Sequence, residues 1–193
     1  MRVELPPGTV VREDDLQERL GIGRTPIREA LQRLEREQLV SIIPRRGVMV
    51  TPIDVGDLAL LFESRSILEP YVHRLAAKRG DARHWDVMEQ ALAATDGVEA
   101  WDELLLVDRT CHEQVWLASK NRFLVTTLEM LYTQSERLWH QYVRDVSDLK
   151  TALDEHREIL RALRSGDANG AAVIIEAHVR SFEQQTRDVL RMA

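Results

Sequence analysis

Asp108 and His112 stand four residues apart, and His156 and His178 each fall within a row of apolar residues. At helical spacing, Leu104, Leu105, Asp108, His112 and Val115 share one face, as do Leu149, Leu153, His156, Leu160 and Leu163. Ala171, Ile174, Ile175, His178 and Phe182 form a third such face. Three segments therefore each turn an imidazole toward an interior, and one adds a carboxylate a single turn away. Three nitrogens and an oxygen suit a divalent transition metal such as Zn²⁺, Ni²⁺ or Mn²⁺, with water or a ligand oxygen in any remaining position. A lone inward histidine is more often a core residue hydrogen-bonded to a neighbour. Three with an aspartate are harder to assign to packing. His73, His84 and His140 lie off the apolar rows and read as surface histidines.

A second chemistry belongs to the stretch Arg24-Thr25-Pro26-Ile27-Arg28-Glu29-Ala30-Leu31. Pro26 suits a first helical turn, where its missing amide would have no partner. Thr25 before it is placed as N-cap. Ile27, Leu31 and Leu34 form the buried stripe, which leaves Arg24, Thr25, Arg28 and Arg33 on the outer surface. A helix that leads with arginines and a hydroxyl suits DNA, because its positive end faces phosphates and arginine pairs bidentately with guanine. An ordinary surface helix is the plain alternative. Further on, Arg45, Arg46 and Gly47 form the tip of a hairpin, where arginines can lie against phosphates or in the minor groove.

The elements that position these groups follow from the periodicity. Pro6-Pro7-Gly8 is a turn. A short helix within Val10–Leu20, starting at Glu13, turns Leu16 and Leu20 inward, and Gly21-Ile22-Gly23 is the tight turn before a helix over 24–37. Two helices joined this way match a helix-turn-helix. Leu39–Ile43 and Val48–Thr51 are strand-like, with Pro44-Arg45-Arg46-Gly47 between them as a hairpin wing. Pro52-Ile53-Asp54 is a linker, with Asp54 as N-cap of a helix reaching Arg79. Further helices are expected over 82–95, 100–119, 122–146, 149–163 and 167–192, with Gly166 as C-cap of the fifth. Arg65 falls on the apolar stripe of the first of the six. The expected fold is mostly α: a winged helix-turn-helix over 1–52, then an all-α antiparallel six-helix bundle over 53–193.

Composition bounds the rest. The chain has 193 residues, 44% apolar and 30% charged, enough for two small domains or one medium one. No apolar run approaches the roughly 18–20 residues of a membrane span, and no secretory signal pattern opens the chain. A single cysteine, Cys111, excludes an intrachain disulfide and fits a cytoplasmic location. The net charge of −6 is unevenly spread: residues 1–52 hold nine Arg against eight acidic residues, and the acidic excess lies beyond them. The basic end is where DNA contact belongs.

The stretch from Leu20 to Leu31, followed by Pro44-Arg45-Arg46-Gly47, resembles the winged helix of GntR-family bacterial transcription regulators. The resemblance implies operator contact by Arg24, Thr25, Arg28, Arg46 and Gly47. Members commonly carry another helix before the Pro-Pro-Gly turn, so the first helix is expected to be missing or shortened here, and Gly23 stands where serine is common. The second region resembles the FCD effector-binding domain of the FadR-like branch, on Arg65-Ser66-Ile67-Leu68-Glu69, Asp108-x3-His112 followed by Asn121, Glu155-His156, and Gly166-Asp167 leading to His178. That resemblance implies a metal on Asp108, His112, His156 and His178, and a small organic or sugar acid as effector. Arg65 is matched to the acid's carboxylate, a bidentate pairing; a structural salt bridge with Glu69 is an equal alternative. Thr127, Gln134 and Ser135 are weaker pocket candidates. The expected function is a homodimeric, ligand-responsive regulator on a palindromic operator. A metal-dependent hydrolase and a regulator with a purely structural metal are the other classes, although no general base or nucleophile stands beside the cluster.

Overall fold

In the computed structural model, residues 5–143 and 148–192 are described, and the side chains of residues 143 and 192 are not. The chain divides into two compact units, Met1–Gly56 and Asp57–Ala193.

In the first unit, β1 (Val10–Val11) precedes α1 (Glu13–Leu20) and α2 (Arg24–Arg36), and β2 (Val40–Ile43) and β3 (Gly47–Val50) follow. The three strands form an antiparallel sheet in the order β1-β3-β2, with Val11 opposite Val48 and Ile42 opposite Val48 on its other side. Strand β1 is a finding beyond the expected two-stranded hairpin; two residues are too short for periodicity to register. Gly21, with φ 66°, ends α1 in the left-handed conformation that glycine adopts without strain. The cap of α2 is Gly23, not Thr25: the helix already includes Arg24, so Thr25 lies inside its first turn. Ile27, Leu31 and Val48 form the core, with Leu16, Val40 and Ile42 packed on it. Leu20, expected to face inward, is 58% exposed at the last position of α1.

The second unit is built from six α-helices among the described residues: α3 (Leu58–Arg79), α4 (Ala82–Ala93), α5 (Trp101–Ala118), α6 (Arg122–Leu138), α7 (Leu149–Arg164) and α8 (Ala168–Met192). Asp54 does not cap α3. Its carboxylate accepts from the Gly56 amide and closes a 3₁₀ turn over Val55–Asp57 instead. Asp81 and His84 form a capping box on α4, and Asn121 and Asp148 cap α6 and α7 through their side chains. Helix α6 gives way at Leu138 to a π-helical turn, Trp139–Val143; the expected end near residue 146 lies outside the described residues. Phe62, Val72, Met88, Val115, Leu128, Leu153, Ile159 and Ile175 are fully enclosed.

Candidate metal centre

The three inward-facing rows deliver their polar residues to one place. One ligand atom each from Asp108, His112, His156 and His178 lie within 4.8 Å of one another, all four residues buried. Asp108 Oδ1 accepts from His156 Nε2 at 2.8 Å, and Oδ2 accepts from the Tyr132 hydroxyl at 2.5 Å. His178 Nε2 lies 3.8 Å from Oδ1, and His112 Nε2 lies 3.8 Å from Oδ2. Helices α5, α7 and α8 carry the four residues; α6 adds Tyr132, and α3 adds Glu69.

Glu69 is fully buried and ringed by donors. Arg65 Nη2 donates to its Oε1 at 3.3 Å, and the Trp116 indole donates to Oε2 at 3.0 Å. His112 Nδ1 lies 3.4 Å from the same Oε1, outside good hydrogen-bond alignment. On the far side, His178 Nδ1 donates to Glu155 Oε2 at 2.8 Å. Arg65, 1% exposed, also donates to Ser135 Oγ at 3.2 Å and lies over the rings of Tyr132 and Trp139.

Burial sets the charges. It drives the His112 imidazole down to about 4, against the pull of Glu69 and Asp108, and lowers His178 as well. Burial alone would raise the Asp108 carboxyl, but the surrounding imidazoles, His156 foremost, hold it well below the carboxylate range. Burial also works against ionisation of Glu69, and its neighbours, His112 and Arg65 above all, overcome it. With His112 uncharged at neutral pH, Arg65 and the Trp116 N–H keep Glu69 ionised.

The residues present fit a divalent transition metal. The donor set is three imidazoles and a carboxylate, and all three Nε2 atoms lie on the Asp108 side. Both ring nitrogens of His112 and Nδ1 of His156 are buried without a hydrogen-bond partner. Each such group costs about 1–3 kcal/mol if nothing meets it.

Other expectations fare unevenly. His73 is no surface residue: it is fully buried, its Nδ1 2.8 Å from the Glu69 carbonyl, because Arg65, Glu69 and His73 recur every four residues along the inward face of α3. His84 and His140 are each only partly exposed, His84 in the α4 cap and His140 edge-on to Trp101. Thr127 is exposed and turned back to the Phe123 carbonyl, Gln134 accepts from Arg137, and Ser135 meets Arg65. The Arg65–Glu69 ion pair was one of the two sequence readings of Arg65 and is present. Sequence reasoning missed Tyr132, the approach of Glu69 to His112, and Glu155 as the partner of His178. The four-residue spacing of 65, 69 and 73 was the available signal for Glu69.

In the first unit, Arg24, Thr25 and Arg28 are exposed on α2, and Arg45 and Arg46 are exposed at the hairpin tip. Glu13 of α1 accepts from Arg28 Nε at 2.8 Å and lies 3.9 Å from Arg24 Nε, a contact the sequence did not suggest. Gly47 has φ 117°, and a Cβ there would sit 2.6 Å from the Val11 carbonyl oxygen. The close approach it permits in this structure is to β1.

The FCD domain profile matches residues 60–181, and the profile for bacterial regulatory proteins of the gntR family matches residues 1–50. The chain belongs to the GntR family of bacterial regulatory proteins, as a transcriptional regulator with a DNA-binding domain and an FCD domain. It is 27% identical over 189 residues to the Nta operon transcriptional regulator of Aminobacter aminovorans, covering 97% of this chain and 89% of that protein. It is also 27% identical over 190 residues to the HTH-type transcriptional repressor GlaR of Escherichia coli, covering 93% and 86%. These relatives are named as regulators, and the family is not one of enzymes, which removes the hydrolase alternative. The fold is shared with E. coli McbR/YncC, at TM-score 0.78 and 21% identity over 96% of this chain and 88% of that one. A metal-free FCD domain of TM0439 matches at TM-score 0.62 and 17% identity, covering 72% and 98%. Among the described residues, no helix is long and apolar enough to cross a membrane.

Proposed function

We propose that this regulator is a homodimer that reads a palindromic operator and holds a divalent metal in its helical domain as part of a sensor for a small carboxylic acid. The observation that carries the reading is the buried meeting of Asp108, His112, His156 and His178. A bound metal supplies a Lewis-acid position for an oxygen of the acid. Asp108 and the three Nε2 atoms hold it, and Zn²⁺, Ni²⁺ and Mn²⁺ all suit that set. Arg65 receives the acid's carboxylate. Two of its nitrogens are committed to Glu69 and Ser135, while its buried Nε has no partner and remains to donate.

At the other end, Arg24, Thr25 and Arg28 face the major groove, and Arg45, Arg46 and Gly47 form the wing tip on the backbone or minor groove. The boundary between the reading and sensing domains lies near residue 52, and the protein works in the cytoplasm. A two-fold dimer sets two reading heads about one helical turn apart. Binding of the acid changes operator affinity by a coupling of a few kcal/mol at most.

The test is operator affinity of the metal-loaded protein, measured by fluorescence anisotropy with and without a panel of small carboxylic acids. Operator fragments come from selection on genomic DNA. The reading expects at least one acid to change affinity by fivefold or more, and expects that response to vanish in Arg65→Ala. An operator response to no acid, alongside a metal-dependent rise in melting temperature, would leave a purely structural metal.

A further inference from the structure

We propose that Glu155 is a positioning residue that holds His178 by Nδ1 and aims its Nε2 at the Asp108 carboxylate, and that Glu69, whose Oε1 faces His112 Nδ1 without bonding it in the metal-free chain, takes up the same role for His112 when that ring seats on a metal. The inference rests on the reading that this cluster holds a metal, and adds two carboxylates from helices α3 and α7 to it. Glu155 Oε2 lies 2.8 Å from His178 Nδ1, and the opposite ring nitrogen lies 3.8 Å from Asp108 Oδ1. Glu69 Oε1 lies 3.4 Å from His112 Nδ1, and the opposite ring nitrogen lies 3.8 Å from Asp108 Oδ2. The order is the same in both (carboxylate, imidazole, then the shared aspartate), but only the Glu155–His178 contact is a hydrogen bond in the metal-free chain.

The chemistry follows from the imidazole. A neutral ring carries one proton and one lone pair, and a carboxylate accepting at Nδ1 keeps the proton there and the lone pair at Nε2. It also makes the ring a stronger donor and fixes its rotation. Without such a partner the ring exchanges tautomers and turns, and the cluster loses preorganisation. Position along α7 makes the device economical. Glu155 and His156 are neighbours about 100° apart around the helix, so one helix offers His156 to Asp108 and Glu155 to His178 of α8.

The two supports differ. Glu155 has a side chain 29% exposed and no other described ion pair, so it can be altered with little effect on the core. Glu69 is fully buried and its Oε1 also serves Arg65, so its removal leaves a buried guanidinium short of a countercharge. The clean substitution is therefore at Glu155, and Glu69 gives the stronger effect if the variant folds.

The experiment is a Zn²⁺ competition titration of the full chain against a chromogenic chelator at fixed pH, for wild type, Glu155→Gln, Glu155→Leu, Glu69→Gln and His178→Ala. Ring-nitrogen NMR of the metal-free protein is recorded alongside. Glu155→Leu is expected to weaken Zn²⁺ about 100-fold and Glu155→Gln about 10-fold, since the amide oxygen still accepts from Nδ1. Wild-type His178 is expected as the Nδ1–H tautomer, with a mixture in Glu155→Leu. A merely structural Glu155 would leave the tautomer unmoved. Glu155→Leu with wild-type affinity and an unchanged tautomer overturns the inference. If His178→Ala weakens Zn²⁺ while Glu155→Leu does not, only the inference falls. If His178→Ala also binds as wild type, the metal reading falls with it. Should Glu69→Gln fail to fold, the Glu155 pair alone decides.

Discussion

Asp108→Asn separates the proposed metal-holding role of the cluster from its packing. In the metal-free protein, Asp108 accepts from His156 Nε2 and from the Tyr132 hydroxyl. The asparagine oxygen keeps one of these bonds. The His156 ring, whose Nδ1 has no partner, can switch tautomer to accept from the new amide. Loss of a buried charge offsets what remains, so metal-free stability should change by no more than about 1 kcal/mol. With metal the outcome differs. A ligand at 100 times its dissociation constant stabilises the native state by about 2.7 kcal/mol. At about 2–4 °C per kcal/mol for a protein of this size, that is a rise of about 5–10 °C in melting temperature. Removing the only anionic ligand of the set should weaken binding by about 100-fold. At the same metal concentration the stabilisation then falls to about 0.4 kcal/mol, or about 1 °C. Differential scanning fluorimetry of both proteins, with EDTA and with excess Zn²⁺, measures all four numbers. A metal-induced rise in Asp108→Asn equal to that of wild type would refute the reasoning, because the metal would then be held elsewhere.

Three further outcomes are expected. Burial holds His73 down to about 4, against about 6.5 when unfolded, so between these values the unfolded chain binds the extra proton and stability falls as pH drops. His112 acts in the same direction, and the metal-free protein should lose about 2–4 kcal/mol between pH 7.5 and pH 5; a urea midpoint unchanged over that range contradicts this. Gly47→Ala puts a methyl against the Val11 carbonyl at a positive φ, which should cost about 1–3 kcal/mol and loosen β1 from β3; amide exchange at Val48 reports it, and unchanged protection would argue against the steric account. Arg28→Ala should weaken operator binding by about 1–3 kcal/mol, whereas Glu13→Ala, which frees Arg28 of its partner, should strengthen binding to non-operator DNA. Anisotropy at two salt concentrations distinguishes these effects, and an Arg28→Ala variant that binds the operator as wild type does would remove the recognition role of α2.

Much of the second unit was readable because its signal is periodic. Asp108, His112, His156 and His178 each interrupt an apolar row, and a helix interrupted in this way must turn the polar residue inward. What periodicity lacks is the third dimension: it placed the four residues inside without giving their separation. The rows also hid partners. Tyr132 and Trp116 look like ordinary aromatic core until a hydroxyl or an indole N–H meets a carboxylate. Glu155 stands off the apolar face of its own helix, part-exposed, and its role shows only where α8 brings His178 Nδ1 to it. His73 was misread because hydropathy counts a histidine beside charged residues as solvated, yet Arg65 and Glu69 lie beneath the surface with it. In the first unit, the helix and turn signals are local and were legible, while β1 was not, since two valines carry no period. Caps were the weakest point: Thr25 and Asp54 have the right chemistry, but the backbone begins its helices one or more residues away from where each could act.

The account's central claim is that the helical domain holds a metal through three imidazoles and one carboxylate. X-ray absorption at the zinc edge of the Zn²⁺-loaded full chain tests it most directly. The expected result is one Zn²⁺ per chain in a shell of nitrogen and oxygen only, with the multiple-scattering signature of three imidazoles falling to two in His156→Ala. A shell containing sulfur from Cys111, or an imidazole count unchanged by that substitution, would contradict it.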